Sequence, residues 1–354
     1  MPLFSNAPDS LCIIRLSAIG DCVHAVAMVQ AIQRQWPQTK ITWIMGKTEA
    51  GLLGDLPEIE VIPFDKAAGI TAYISVWSLL RHRRFDALLH MQSALRASLL
   101  TLGIKADKTL GFDQQRAGDG QSLFTNVKVP SPQSPHVLDG FMAFAAELGI
   151  HDLTPRWNIP VSDVDSEWVK QKIHPKKPTL LIAPSASKVY KNWTSEGYAC
   201  LADHAAKHGF QVILCGGPSA QEKQFSVEIT AKCKYEPENL VGQTSLKRLM
   251  ALIEQSTLVL APDTGPAHMA TAAGVSVIGL YAHHNPTRTG PYFCQKYVVS
   301  VYEKLIQAQT KKQPSQLPWR QRLKDNNAMA NITIEQVIKT FDRLCNDFSI
   351  EFKR

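Results

Sequence analysis

Short apolar runs alternate with segments of helical period along almost the whole chain, and this constrains the fold more than any other feature. Leu11–Leu16, Lys40–Met45, Ile59–Phe64 and Ala87–Met91 read as buried strands. Cys22–Trp36 and Ile70–Arg83 between them read as helices, with a helix over Ala94–Leu102 and a short strand over Thr109–Phe112. After a helix at Val137–Leu148, polar and proline-rich residues accumulate from His151 to Pro178, with a short helix at Ser166–Lys172. The alternation then restarts, with strands at Thr179–Ala183, Gln211–Cys215, Thr257–Ala261 and Ser276–Tyr281 and helices at Ser195–His208, Ala220–Lys232 and Leu246–Glu254. Alternating strand and helix implies parallel sheets covered by helices on both faces. The expected class is α/β, with two doubly wound domains, residues 1–172 and 173–332, facing one cleft. The stretch Gln307–Asn331 reads as irregular, and Thr333 with Gln336 is a capping-box start for a last helix, Ile334–Phe348.

Bulk properties narrow the class. The polar N-terminus and the Arg15 break in the first apolar run fit neither a signal peptide nor a membrane span. Seven scattered cysteines without a C-x-x-C pair point to reduced thiols in a cytosolic protein, not to disulfides or a zinc site. The net charge of +7 is uneven: residues 1–175 carry 16 Lys+Arg and 17 Asp+Glu, so the excess lies in the remainder. Lys304 to Lys324 is locally basic and could meet anionic lipid or nucleic acid, or be a solvated loop. Aromatic residues are not interleaved there as an RNA-binding face requires.

In an open α/β sheet, ligands bind beyond the carboxyl ends of the strands. Four loops at such positions carry polar groups. The most informative is Asp263-Thr264-Gly265-Pro266-Ala267-His268, between a strand and a short helix of small residues. Unpaired N–H groups and the helix dipole make such a turn suited to phosphate, with Gly265 permitting close approach and Pro266 suiting the first turn. An ordinary turn with a capping Asp263 is the plainer alternative. The Ser17–Asp21 turn places a carboxylate, Asp21, at a helix start, as a cap or as a general base. It has one glycine, Gly20, so a dinucleotide fingerprint fails. Ser185, Ser187, Lys188 and Lys191 form a hydroxyl- and lysine-bearing loop suited to a pyrophosphate, where Lys191 could neutralise charge on a departing phosphate. Gly216-Gly217-Pro218-Ser219 precedes Glu222, a candidate acceptor for ribose hydroxyls. Two lookalikes fail. Gly46-Lys47-Thr48 lacks the upstream glycine of a P-loop, and Asp163-Val164-Asp165 lies in the polar linker, where capping explains it better than metal binding.

Together these segments resemble the family 9 glycosyltransferases, the ADP-heptose:lipopolysaccharide heptosyltransferases. The likeness runs from about Leu11 to Tyr292 and rests on Ile13–Asp21, Lys191-Asn192-Trp193, Cys215–Pro218, Leu240–Leu246 and Asp263–His268 with Gly290-Pro291-Tyr292. It implies a B-type glycosyltransferase fold of two Rossmann-like domains. The first takes the acceptor and the second the nucleotide-sugar, and a final helix (333–354) packs back on the first. It implies metal-free, inverting transfer of heptose from ADP-heptose to a Kdo or heptose hydroxyl of the lipopolysaccharide inner core, on a lipid A–Kdo acceptor. The protein would then be cytoplasmic and peripheral on the inner membrane, with no cofactor and no nucleic acid partner. Asp21 would be the base and Lys191 the leaving-group cation. Ser185, Ser187, Glu222, Thr244, Asp263, Thr264, Gly265, Pro266 and His268 would hold the donor, and Gly20, Arg96, Arg116 and His136 the acceptor. His283-His284-Asn285, after the strand that follows the Asp263 turn, departs from the best-known members; two histidines without a third ligand do not make a metal site. A 2-epimerase-like nucleotide-sugar enzyme and a non-catalytic nucleotide-sugar binder are the alternatives; the Asp21 turn and the Asp263–His268 loop argue against the first, and Asp21 with Lys191 against the second.

Overall fold

The computed structural model describes residues 2–350. Residue 1 and residues 351–354, the outer ends of the first and third expected segments, lie outside the described residues. The chain divides into two compact units, Met1–Pro160 and Val161–Arg354, so the division falls inside the polar stretch His151–Pro178.

The first unit runs β1 (Ser10–Ile14), α1 (Ile19–Gln35), β2 (Lys40–Gly46), α2 (Lys47–Leu53), β3 (Ile59–Phe64), α3 (Ile70–Leu80) and β4 (Arg84–His90). It continues with α4 (Leu95–Leu100), β5 (Lys105–Phe112), β6 (Val127–Val129) and α5 (Val137–Leu148). The six strands form one sheet of order β3-β2-β1-β4-β5-β6, with every neighbouring pair parallel. In register, Leu11 lies beside Ile41 on one side and Ala87 on the other. Successive side chains of a strand point to opposite faces. Cys12, Ile14, Ile44, Ile62 and Leu88 therefore share a face, and Ala72, Val76 and Leu80 of α3 with Ala97 and Leu100 of α4 close over it. α1 and α5 pack on each other, and α1 buries Met28 and Ile32 and α5 buries Phe141 and Phe144.

The second unit runs α6 (Asp163–Lys170), β7 (Thr179–Ile182), α7 (Ser195–Lys207), β8 (Gln211–Leu214), α8 (Ala220–Thr230), β9 (Glu238–Asn239), α9 (Leu246–Glu254) and β10 (Leu258–Pro262). It continues with α10 (Gly265–Ala272), β11 (Ser276–Tyr281), α11 (Pro286–Thr289), β12 (Val298–Ser300), α12 (Tyr302–Thr310) and α13 (Ile334–Asp347). Its sheet, read from the β9 edge, is β9-β8-β7-β10-β11-β12, again parallel throughout. Numbered within its own unit, each sheet has the order 3-2-1-4-5-6. Both reverse direction between their first and fourth strands, and the crevice at that switch point is where ligands of such sheets bind.

Local chemistry explains most helix starts. Thr194, Ser219 and Ser245 accept hydrogen bonds from the third residues of α7, α8 and α9, and Thr333 forms the expected capping box with Gln336. Ser162 caps α6 in the same way, so that helix begins three residues earlier than the sequence reading, and Asp165 turns to Arg248 at 3.3 Å. Three elements differ from the sequence reading in another respect. β6, β9 and β12 are two or three residues long, too short to show a period. The stretch read as irregular contains the last four residues of α12 and two 3-10 turns. α13 buries Val337, Phe341, Leu344 and Cys345, and packs on α7 and β12 of its own unit, with Asp342 bonded to His204 at 2.7 Å.

Candidate active site

In the second unit the switch point lies between β7 and β10, and the loops leaving these two strands carry Lys191 and Asp263. The β7 loop is closed on itself, because Asn192 Oδ1 accepts the Ala186 N–H at 2.7 Å. Trp193, buried behind it, donates from Nε1 to the Ile332 carbonyl at 2.9 Å. The 3-10 turn Val189–Lys191 then brings the lysine across to β10, where Nζ lies 2.8 Å from Asp263 Oδ2. His284, just after β11, donates from Nδ1 to the same oxygen at 2.5 Å. Three residues spread over 94 positions of sequence thus meet at one carboxylate oxygen, with side chains 17, 13 and 19% exposed. Burial pushes the Asp263 carboxyl up. The His284 hydrogen bond and the Lys191 charge outweigh it, so the net result lies well below the usual carboxylate range.

Asp263 is therefore not the cap of α10. Thr264 occupies that position and makes no capping bond, its hydroxyl donating to the Pro262 carbonyl at 3.2 Å. Gly265 and Pro266 form the first turn, Ala267 N–H returns to Thr264, and His268 is buried one residue further on. The positive end of the helix is thus left without a side-chain cap, beside an ammonium with one of its three hydrogens engaged. That combination suits an anionic oxygen.

The flanking loops follow the same logic. Glu222 folds back on its own turn, accepting from Gly217 N–H at 2.7 Å and from Ser219 Oγ at 3.2 Å. A Cβ at Gly217 would stand 2.8 Å from Glu222 Oε1, so the glycine is what permits this fold-back. Ser185 is half-buried and Ser187 exposed at the end of β7, and Thr244 is half-buried just before α9. His283, beside His284, packs at a tilt against Tyr190 with ring centroids 4.7 Å apart and donates from Nε2 to the Asp325 carbonyl at 2.8 Å. Burial, first among the causes, holds its ring below the usual imidazole range. Leu323 N–H bonds the His283 carbonyl and His284 pairs with Arg322 as an isolated bridge. The polar stretch 307–331 thus braces the loop that delivers His284.

In the first unit the switch point lies between β1 and β4. Gln92, after β4, accepts the Leu16 and Ser17 N–H groups at 2.7 and 3.3 Å and so ties the two loops together. Gly20 is buried in the first turn of α1, and Asp21 beside it pairs with Arg15. Arg15 is itself held by the Met91 carbonyl at 2.7 Å and lies over the Phe141 ring. The Asp21 side chain is 34% exposed, so it is oriented from behind and open in front. Arg116 and His136 are both buried. Arg116 donates to the His136 and Ser134 carbonyls at 3.1 and 2.7 Å, and His136 Nδ1 accepts from Leu138 N–H as the cap of α5. Arg96 is exposed on α4. Of the four residues assigned to the acceptor from sequence, Gly20 and Arg96 lie at the ends of the central strands, whereas Arg116 and His136 pin the loop before α5. Sequence reasoning missed Arg15, Gln92 and the His284–Asp263 bond. A cation inside the apolar run Leu11–Leu16 was the available signal for the first.

Two sheets of order 3-2-1-4-5-6, one with an oriented carboxylate and the other with a cation and an uncapped helix at its switch point, define a B-type, two-domain glycosyltransferase. The chain belongs to glycosyltransferase family 9 (heptosyltransferase), whose sequence profile matches residues 73–319. It is 50% identical over 344 residues to the lipopolysaccharide core heptosyltransferase OpsX of Haemophilus influenzae, spanning 97% of this chain and 99% of that protein. Its fold matches a family 9 glycosyltransferase from Veillonella parvula with a TM-score of 0.77 at 20% identity, over 96% of this chain and 97% of that one. It also matches the Escherichia coli ADP-heptose lps heptosyltransferase II with a TM-score of 0.71 at 20% identity, over 96% and 99%.

Proposed function

We propose that this enzyme transfers heptose from ADP-heptose to a Kdo or heptose hydroxyl of the lipopolysaccharide inner core, with inversion and without a metal, at the cytoplasmic face of the inner membrane. The observation that carries the acceptor class is the 50% identity, over essentially the whole length, to a lipopolysaccharide core heptosyltransferase. The E. coli protein that shares the fold has ADP-heptose in its name, and the same donor is taken here.

The reaction is a single displacement. Asp21 accepts the proton of the acceptor hydroxyl, and the oxygen attacks the anomeric carbon. The bond from that carbon to the phosphate oxygen breaks with its electron pair, and ADP departs. Arg15 keeps the Asp21 carboxylate directed while its exposed side receives the proton. Negative charge grows on the departing diphosphate, and the two remaining ammonium hydrogens of Lys191 meet it, together with the first N–H of α10. Asp263 and His284 set the position of Lys191. Ser185, Ser187, Thr244, Thr264 and His268 supply further hydrogen bonds to the donor, and Glu222 holds the ribose. A fixed cation at the diphosphate removes the need for a divalent ion. Gly20 and Arg96 are the acceptor contacts. Arg116 and His136 act on the acceptor only through the loop they hold.

ADP release from ADP-heptose, with and without purified lipid A–Kdo and in excess EDTA, tests the reading. Release should need the acceptor, survive EDTA and fall by about 10²–10⁴ in Asp21→Asn with ADP affinity unchanged. A glycoside with the donor's own anomeric configuration would overturn the single displacement. Loss of turnover in EDTA would overturn metal independence.

A further inference from the structure

α3 and α4 bury one face each in the first unit's core, and amphipathic helices ordinarily carry polar residues on the other. Here the outer faces carry large apolar residues as well, beside the small hydroxyl residues Thr71, Ser75 and Ser78 on α3. On α3, Ile70 and Ile74 are one turn apart and 65 and 55% exposed. On α4 and the turn after it, Leu95, Leu99 and Leu102 fall at i, i+4 and i+7, the spacing of one helix stripe, and all are exposed. The two helices are joined along this side. Tyr73 Oη donates to the Arg96 carbonyl at 3.2 Å, and Trp77 Nε1 donates to the Leu100 carbonyl at 3.0 Å. The result is one apolar surface on neighbouring helices. Such a patch on a soluble domain marks an interaction site.

The charge around it identifies the partner. No Asp or Glu occurs from Lys66 to Phe85 or from Met91 to Ala106, while the same segments carry Lys66, Arg81, Arg83, Arg84, Arg96 and Lys105. Arg83 and Arg84 are matched by Glu60 and Asp107 on neighbouring strands, whereas Lys66 and Arg96 are exposed beside the N-terminal turns of the two helices. Those turns follow the carboxyl ends of β3 and β4, the same edge of the sheet as Asp21. Aliphatic side chains flanked by cations, with the nearby acids Glu60, Asp107 and Asp65 already paired to Arg83, Arg84 and Lys47, match an anionic bilayer, whose headgroups pair the free cations while the side chains enter the acyl boundary.

We propose that the outer faces of α3 and α4 are the surface by which this enzyme docks on an anionic lipid bilayer, bringing the Asp21 edge of the sheet to a lipid-embedded acceptor. The acceptor clause rests on the function proposed above; the docking surface does not.

Flotation with vesicles of phosphatidylethanolamine and phosphatidylglycerol, against phosphatidylcholine alone, tests it on the full chain. The wild type should float with the anionic vesicles and less with the zwitterionic ones. In a variant carrying Ile70→Ser, Ile74→Ser, Leu95→Ser and Leu102→Ser, partitioning should fall at least ~30-fold, since a fully transferred aliphatic side chain contributes about tenfold and each enters only in part. Unchanged thermal unfolding shows that the variant folds, and Ile74→Ser with Leu102→Ser alone should give an intermediate loss. Transfer to acceptor embedded in vesicles should fall, while transfer to a deacylated, soluble acceptor stays at the wild-type rate. Equal flotation of variant and wild type overturns the proposal, as does a wild-type dimer that the substitutions dissolve, which would mean that a second copy covers the face. If the wild type floats but releases no ADP with either acceptor, the functional reading fails and the docking surface stands.

Discussion

Asp263→Asn is the perturbation whose outcome the geometry sets most directly. The substitution keeps the shape of the side chain and removes its charge, leaving the Lys191 ammonium with an amide oxygen in place of a carboxylate 2.8 Å away. Because both side chains are less than a fifth exposed, solvent screens the pair weakly. Removing one member of a largely buried charge pair costs about 3 kcal/mol. In a unit of this size that lowers the unfolding midpoint by about 6–12 °C. The pH dependence carries the sign. The folded Asp263 carboxyl lies below its unfolded value, so its contribution is complete above about pH 4 and is lost as pH falls towards the folded value. Each pH unit below about 4 removes up to ~1.4 kcal/mol of the difference between wild type and variant. Urea unfolding of both proteins at pH 7 and pH 2.5 should show the gap shrinking by about 2 kcal/mol. A gap below about 1 kcal/mol at pH 7, or one that is the same at both pH values, would refute the assignment of Asp263 as the charged centre of the cluster.

Two further outcomes follow from single contacts. Lys191→Met keeps the aliphatic stem but removes the ammonium, and should lower kcat by about 10²–10³ in steady-state ADP release, with no rescue by added magnesium. Gly140→Ala would place a Cβ 1.9 Å from Arg116 Nη1. It should destabilise the first unit by about 2–3 kcal/mol in thermal unfolding, because that guanidinium is anchored to two carbonyls and has nowhere to move.

Among the described residues no helix is long and apolar enough to cross a membrane. The sequence reading offered the basic stretch Lys304 to Lys324 as a contact for anionic lipid or nucleic acid, or as a solvated loop. Within that stretch Leu323 N–H is tied to the His283 carbonyl, while Lys304, Lys311, Lys312, Arg320, Arg322 and Lys324 stay exposed. The apolar faces of α3 and α4 could not be told from core by periodicity. Ile70, Ile74 and Leu95 have the same chemistry as the residues buried one step around the helix, and only accessibility separates them.

The sequence by itself determined the class of each unit, because the alternation of apolar runs and helical periods admits few structures other than parallel sheets wrapped in helices. It also placed the polar turns, since Asp21, Lys191, Glu222 and Asp263 each follow a strand and precede or begin a helix, and that is a local pattern. What it could not decide was which turns meet. The order 3-2-1-4-5-6 is chosen by crossover connections, and it sets β7 beside β10 although 75 residues lie between the end of the one and the start of the other. Lys191, Asp263 and His284 converge for that reason alone. The same holds for Arg116, assigned from sequence to the acceptor, whose guanidinium the fold places on the Ser134 and His136 carbonyls. Local periodicity encodes which face of each element is apolar. Partners between elements are set by packing across the whole sheet, and no window of sequence contains them.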